Sequence, residues 1–541
     1  MEHVLPITSG SGLIVNADIR TLDAGQPTAE AVSWADGMIT AVGTTAEVLA
    51  VAPAGADPID LRGAALTPGL IDSHIHPAWG AELSRGADLA GCTTLEQVRT
   101  ALRAEAARTP ADQWIRAWNL DYAAFSPTGI RADLIDEAVS GRPLIGVFYD
   151  LHTAMISTEA IRQSGLTGRE TFPDAAAVVV DDAGLPTGEL KEPSAYQPLT
   201  TAHAETDTAA VLDRLAGVLG KLNRFGVTGG VVMDASAADL DTYAALDNAG
   251  RLSVRLVTAL WHHPDRDDAG VAEFIKLAAR GGRRWRSGLI KIFSDGVIDT
   301  GTAWLRELDT CGCGSHPFWP DPERLRDVIA QYTAAGIQLA IHAVGDQAVA
   351  FVLDCYRDVG GGGTVRHRLE HLELLEDDDV KRLADLQITA SMQPLHMQWR
   401  QADHSDSFAR RLGRRRAAQA FRVADVIAAG APVCLGSDWP VADSDPRYGM
   451  AWARLRRRPG DRDGHVFEPD QRLSGEQALL GYTAWAADAL GDTDRGRIRV
   501  GARADLTAFA EDPVRVSADD LIDLPIPLTV VDGEIVHRED V

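Results

Sequence analysis

Eight apolar runs recur through the middle of this chain: "TPGLIDSHIH", "GVTGGVVMD", "VRLVTAL", "GLIKIFSDG", "IQLAIHAVGD", "VRHRLEHLE", "ITASMQPLH" and "PVCLGSDWP". A short apolar run bounded by turn residues reads as a buried strand. The stretches between several of them, such as 321 to 335 and 375 to 386, carry the spacing of amphipathic helices. Eight buried strands alternating with helices leave few architectures open, and the one that covers both sheet faces is a (β/α)8 barrel.

Both ends of the chain read differently. Residues 11 to 66 break into short alternating strands, and "GRIRVGARADLTAFA" and "PLTVVDGEIVHRE" repeat that pattern near the C-terminus. The expected α/β organisation is therefore a TIM-like barrel over 67–485 and a small β-sandwich built from both termini, 1–66 and 486–541. The stretch from about 80 to 225 exceeds a barrel connection and is expected to be a large insertion after the first barrel strand. A total of 541 residues suits a barrel with a second module. The glycine run 360 to 363 precedes a strand and not a helix, so it reads as a connector.

A formal charge of −26 argues against nucleic acid or an anionic membrane as partner. The arginine-rich runs at 410 to 416 and 454 to 458 are interrupted by leucine and read as solvated helix faces. Five scattered cysteines form no disulfide framework, and Cys311 and Cys313 sit in a Gly-rich loop. Together with an N-terminus lacking a signal-like apolar segment and no bilayer-length apolar run, this places the expected chain in the cytoplasm.

The barrel chemistry is expected at the C-terminal strand ends. His74 and His76 end the first run one residue apart, on one face of a strand, with Ile75 opposite. By itself such a pair is as readily two unrelated polar residues as a metal site. The fourth run carries Lys291, one of five lysines in the chain, and Asp295; the fifth ends in His342, the sixth in Glu370 and His371, the eighth in Asp438. A buried ammonium is costly to desolvate unless paired. It is relieved either by an acid such as Asp295 or by reaction with carbon dioxide to a carbamate, which can bridge two divalent cations.

With "GLPTGELKE" (184 to 192), "IHAVGD", "RLEHLE", "SMQPLH" and "LGSDWPV", these stretches resemble the amidohydrolase superfamily, and within it the amidohydrolase-3 group of YtcJ-like proteins and N-substituted formamide deformylase. The resemblance implies a divalent-metal cofactor, zinc before others, as one or two ions. His74 and His76 would bind the more buried ion with Asp438, His342 and His371 the second, and carboxylated Lys291 would bridge them. Glu192 is an alternative bridge. It also implies that hydroxide generated on the metal attacks a small amide-type C–N bond, conceivably in an N-substituted formamide, with Asp438 carrying the proton to the leaving nitrogen.

Asp72 is expected to orient the histidines. Gln393, His396 and Trp79 are expected to contact the small-molecule substrate, whereas His152, His262, His263 and His316 read as ordinary. A homodimer is one possible assembly. The alternatives are a heterocycle aminohydrolase, disfavoured because Gly345 stands where deaminases carry a glutamate, and a catalytically silent scaffold, disfavoured because the donor set is complete.

Overall fold

The computed structural model describes residues 10–52, 57–172, 174–361 and 365–539. Eight strands form one sheet: β1 (Leu70–Ile75), β2 (Val227–Ala235), β3 (Arg255–Trp261), β4 (Trp285–Phe293), β5 (Gln338–Ala343), β6 (Arg368–His371), β7 (Thr389–Met392) and β8 (Val433–Leu435). They lie side by side in chain order, every pairing parallel. A parallel bridge from Ile75 to Trp439 brings the eighth back to the first, so the barrel is nearly closed. All eight expected runs supply these strands.

The strands read as unbroken apolar runs because both faces are covered; β1, β3 and β6 are buried at every position. The helix Pro322–Ala334, capped by Asp321, shows what does the covering: Leu325, Val328, Ile329 and Tyr332 repeat at three and four residues and turn into the core. Several boundaries differ from expectation, and the eighth run narrows to Val433–Leu435. The sixth run narrows to Arg368–His371. The seventh stops at Met392, because Pro394 has no N–H for a ladder and opens a 3-10 turn over Pro394–Trp399.

Between β1 and β2 lies a six-stranded sheet with a core of its own around Leu102, Ile115, Leu144, Phe148 and Met155. Its strands include Ile115–Leu120, Leu144–Phe148, Thr153–Ile156 and Pro186–Lys191. At the far end of the barrel, Ala65–Pro68 from the N-terminal part pairs antiparallel with Leu506–Phe509 from the C-terminal part. A second sheet, containing Gly12–Val15 and Ala31–Ala35, packs against it, so Ile14, Val32, Leu66, Leu506 and Val530 share one core. No helix among the described residues is long and apolar enough to cross a membrane. The N-terminal segment read for a signal, residues 1–9, and part of the glycine run, 362–363, lie outside the described residues.

Candidate metal centre

Strand alternation puts the His74 and His76 rings on one face with centroids 5.4 Å apart. Each ring has one nitrogen on a carboxylate behind it. His74 Nδ1 is 2.8 Å from Glu370 Oε2, and His76 Nδ1 is 3.3 Å from Asp234 Oδ1. The other nitrogens converge: His74 Nε2 and His76 Nε2 lie 3.3 and 3.0 Å from the same atom, Asp438 Oδ1. A carboxylate behind a ligating imidazole fixes its tautomer and raises its basicity. Asp234, at the end of β2, was not singled out from the sequence, although the strand-end rule that found the others applies to it equally.

Asp438 reaches this point because β8 passes unusually near β1. A Cβ on Gly436 would lie 2.7 Å from His74 N and 3.0 Å from Asp72 Oδ1, so only glycine permits the approach. Asp72 departs from its expected role. Its Oδ1 accepts the backbone N–H of His74 and of Ser437, tying the two strand ends together, while the His74 ring turns to Glu370. Burial pushes the Asp72 carboxyl up to about 7. Asp438 and His371 both have non-glycine backbones in the left-handed region, at φ 62° and 74°. Strain of about 1–3 kcal/mol per residue persists only where the surroundings enforce it, and it collects at functional sites.

Burial, together with the nearby Lys291 ammonium, lowers the His74 imidazole to about 4; burial holds His342 and His371 well below the ordinary range. These three rings are thus neutral, the state in which imidazole ligates metal. His76 differs: burial opposes its charge, but Asp234 and Asp438 outweigh burial and raise it to about 9. Burial also opposes ionisation of Asp438, yet His74 and His76 hold its carboxyl well below the carboxylate range.

Lys291 Nζ lies 3.5 Å from His74 Nε2, and burial lowers its amine to about 8 despite Glu370 and Asp438. Asp295 is not its partner. The Asp295 carboxylate accepts the backbone N–H groups of Trp304, Val344 and Gly345, which fastens the loops after β4 and β5. Glu370 is clamped by the buried Arg368, 2.8 Å from Nε to Oε1. His342 packs against His371 at 4.5 Å between centroids, with its Nε2 3.0 Å from the Gly296 carbonyl.

A second set faces the other oxygen of Asp438. His371 Nδ1 is 3.7 Å and His396 Nε2 3.6 Å from Oδ2, and His396 Nδ1 is 3.4 Å from Glu373 Oε1. His74, His76 and Asp438, and likewise His371, His396 and Asp438, bring one donor atom each within 4.8 Å of one another.

These groups open into a cavity of about 990 Å³. Trp79 lines it, edge-on to His76, and so does His396. Gln393 is not on that wall: it is buried, and its amide N and O lack hydrogen bonds among the described residues. Glu192 Oε2 lies 2.6 Å from His152 Nδ1. His152, read as ordinary, lines the cavity beside His342, centroids 5.5 Å apart. No local pattern marks it, because the sheet between β1 and β2 carries it there. His262 bonds Tyr332 Oη in the core, and neither it nor His263 lines the cavity.

The donor set fits a divalent cation on three counts. His396 Nε2 is buried without a hydrogen bond among the described residues. His76 has carboxylates on both nitrogens, an arrangement that calls for a proton or a metal ion between them. Finally, ligands about 2.1 Å from a tetrahedral ion sit about 3.4 Å apart, and the four distances to Asp438 scatter around that value.

The model of the amidohydrolase family matches residues 57–537. The chain is 28% identical to the N-substituted formamide deformylase of Arthrobacter pascens, over 96% of this chain and 97% of that protein. It is 26% identical to the putative amidohydrolase YtcJ of Bacillus subtilis, over 89% and 90% respectively. An uncharacterized metal-dependent hydrolase from Pyrococcus horikoshii superposes with a TM-score of 0.73 at 21% identity, covering 94% of this chain and 99% of that one.

Proposed function

The chain belongs to the amidohydrolase family, and on that premise we propose that it is a metal-dependent hydrolase of an amide-type C–N bond in a small molecule. The observation that carries this reading is the convergence of His74, His76 and Asp438 at the floor of a large cavity. We assign the first cation, zinc before others, to these three residues. His371 is a donor on the opposite side of Asp438, with Lys291 and His342 beside it. Lys291 has the setting that carbamate formation needs: a buried amine lowered to about 8, so that an appreciable part is neutral near pH 7.

When bound, the cation supplies Lewis acidity, drawing the pKa of water toward neutrality and withdrawing charge from a carbonyl oxygen. The chain's own groups do the rest. Asp438, held ionised between two histidine pairs, accepts the proton of the attacking water at one carboxylate oxygen and returns it to the departing nitrogen. Glu370 and Asp234 keep the two imidazoles aimed. Trp79 and His396 line the space a substrate would occupy. The whole-length similarity to an N-substituted formamide deformylase makes N-substituted formamides the first compounds to try. We also read the terminal sheets as one β-sandwich and the stretch from about 80 to 225 as an insertion over the barrel mouth.

The test is metal analysis with turnover. The purified protein is expected to hold at least one divalent ion per chain and to hydrolyse a formamide or related small amide. His74→Ala and His76→Ala are each expected to lose that ion and at least about 100-fold in kcat/KM, a loss of about 2.7 kcal/mol in transition-state stabilisation. Full metal content and turnover in both variants would overturn the assignment.

A further inference from the structure

The family resemblance leaves Glu192 as an alternative bridge between cations, but its carboxylate is engaged by His152. We propose that His152 is a further catalytic residue, donating a hydrogen bond from Nε2 to the oxygen of the scissile carbonyl, and that Glu192 is the positioning residue that aims its ring. This inference rests on the hydrolase reading above and adds two residues which that reading does not use.

The register of the sheet between β1 and β2 brings the pair together. Strands Thr153–Ile156 and Pro186–Lys191 run antiparallel with Thr153 opposite Lys191, so His152 and Glu192 are neighbours one residue beyond. The Glu192 amide donates to the His152 carbonyl at 2.7 Å, and Glu192 Oε2 lies 2.6 Å from His152 Nδ1. Both residues are buried, Glu192 completely and His152 to 6% exposure. The Glu192 backbone is in the left-handed region at φ 64°, a strained conformation that persists only where the surroundings enforce it. A Cβ on Gly296, just after β4, would lie 2.6 Å from Glu192 Oε1, so the barrel loop closes directly on this carboxylate. Asp150 Oδ1 accepts the His152 amide at 3.0 Å, and Tyr122 Oη donates to Asp150 Oδ2 at 2.7 Å, which holds the backbone as well.

The ring so held lines the cavity, stacked along Phe293 at 5.7 Å between centroids and 26° between planes, and beside His342. Nδ1 is taken by Glu192, whereas Nε2, on the far side of the ring, has no hydrogen-bond partner among the described residues. A carboxylate against a buried imidazole favours the protonated ring, in which Nε2 carries an N–H. Addition of water to an amide carbonyl turns its oxygen into an oxyanion. A fixed donor aimed at that oxygen therefore stabilises the transition state more than the ground state. His152 transfers no proton: its hydrogen bond tightens as charge builds on oxygen and relaxes as the C–N bond breaks. Asp438 serves the water and the nitrogen, His152 the oxygen, so the two roles do not compete.

The experiment takes the metal-loaded full chain and the formamide or acyl-amine that wild type hydrolyses fastest. For each variant kcat, KM, bound metal by mass spectrometry and thermal unfolding are measured. His152→Ala is expected to lower kcat by about 100–1,000-fold, the cost of losing one oxyanion donor, with KM and metal content close to wild type. Glu192→Gln is expected to lower kcat by about 10–100-fold, again with metal retained, and it keeps size and shape should His152→Ala misfold. The double variant is expected to be no slower than His152→Ala, because Glu192 acts through the ring. The inference is overturned if His152→Ala and Glu192→Gln both keep the kcat of wild type, or if their loss appears in KM alone. It is also overturned if either variant loses bound metal, which would place the pair in the metal centre, or if the double variant is slower than His152→Ala by the full Glu192→Gln factor. Each of these outcomes leaves the hydrolase reading standing. A wild type that holds no divalent ion or hydrolyses no small amide would overturn that reading, and this inference with it.

Discussion

His76 lies between two carboxylates, Asp234 Oδ1 at 3.3 Å and Asp438 Oδ1 at 3.0 Å, and they raise its imidazole to about 9 against the opposing effect of burial. At pH 7 the metal-free chain therefore holds a proton on the nitrogen proposed to bind the cation. Binding must expel it, so affinity for the first ion should climb as pH rises toward 9 and level off above. Calorimetry in buffers of different ionisation enthalpy should record about one proton released per first ion at pH 7; none released would contradict this account of His76. Asp234→Asn removes one of the groups that raise His76. It should reduce the proton count and weaken cation retention by about 10–100-fold, because the ring loses the partner that aims it. The proposed donors His74, His342 and His371 stand out in the sequence because each lies at the end of a barrel strand. Asp234 ends one too and was passed over. His396 beside Asp438 was not legible, because that distance depends on the register of β7 on β8 and on the turn after Met392.

At the scale of elements, the seam between β1 and β8 decides whether Asp438 meets the histidines. Gly436 allows it. With alanine there, a Cβ 2.7 Å from the His74 amide nitrogen would force one strand end to move, and strand backbone cannot yield as a flexible side chain can. Gly436→Ala is expected to cost about 1–3 kcal/mol in urea unfolding, the range for overpacked positions. It should also deplete bound metal, since Asp72 ties the His74 and Ser437 amides across the same seam. Unaltered stability and metal content would mean that the seam is slack. The barrel strands were readable because burial on both faces leaves continuous apolar runs. Much of the sheet between β1 and β2 was not: Ala177–Val180 is only partly buried, and Ala87–Asp88 has two residues. Strands that short owe their existence to neighbours far away in the chain, and they leave little periodicity to read.

Across the whole molecule, the end of the barrel opposite the site is fastened to the terminal sheets by charge. Arg255, the first residue of β3, reaches Asp505 Oδ2 at 3.1 Å through Nε and Asp532 Oδ1 at 2.8 Å through Nη2. Asp505 Oδ1 accepts the Asp532 amide at 2.7 Å. Burial works against ionised Asp505, but Arg255 overcomes it and keeps the carboxyl below its ordinary value. Such a network adds little net stability over apolar residues of equal volume, yet removing one member strands a buried charge, at about 3–5 kcal/mol. Arg255→Ala should therefore lower unfolding free energy by about that amount, and Arg255→Lys by less, because a single ammonium cannot serve both carboxylates with a planar fork. The proposed metal centre lies at the other end of the strands, where a bound cation would stabilise the folded chain by mass action. The stability gained on adding zinc should accordingly be the same in Arg255→Ala as in wild type, and so should kcat of the folded fraction. Thermal and urea unfolding with and without zinc would check both. A zinc increment that vanished in Arg255→Ala would show instead that the terminal sheets hold the metal centre in shape through the length of the barrel.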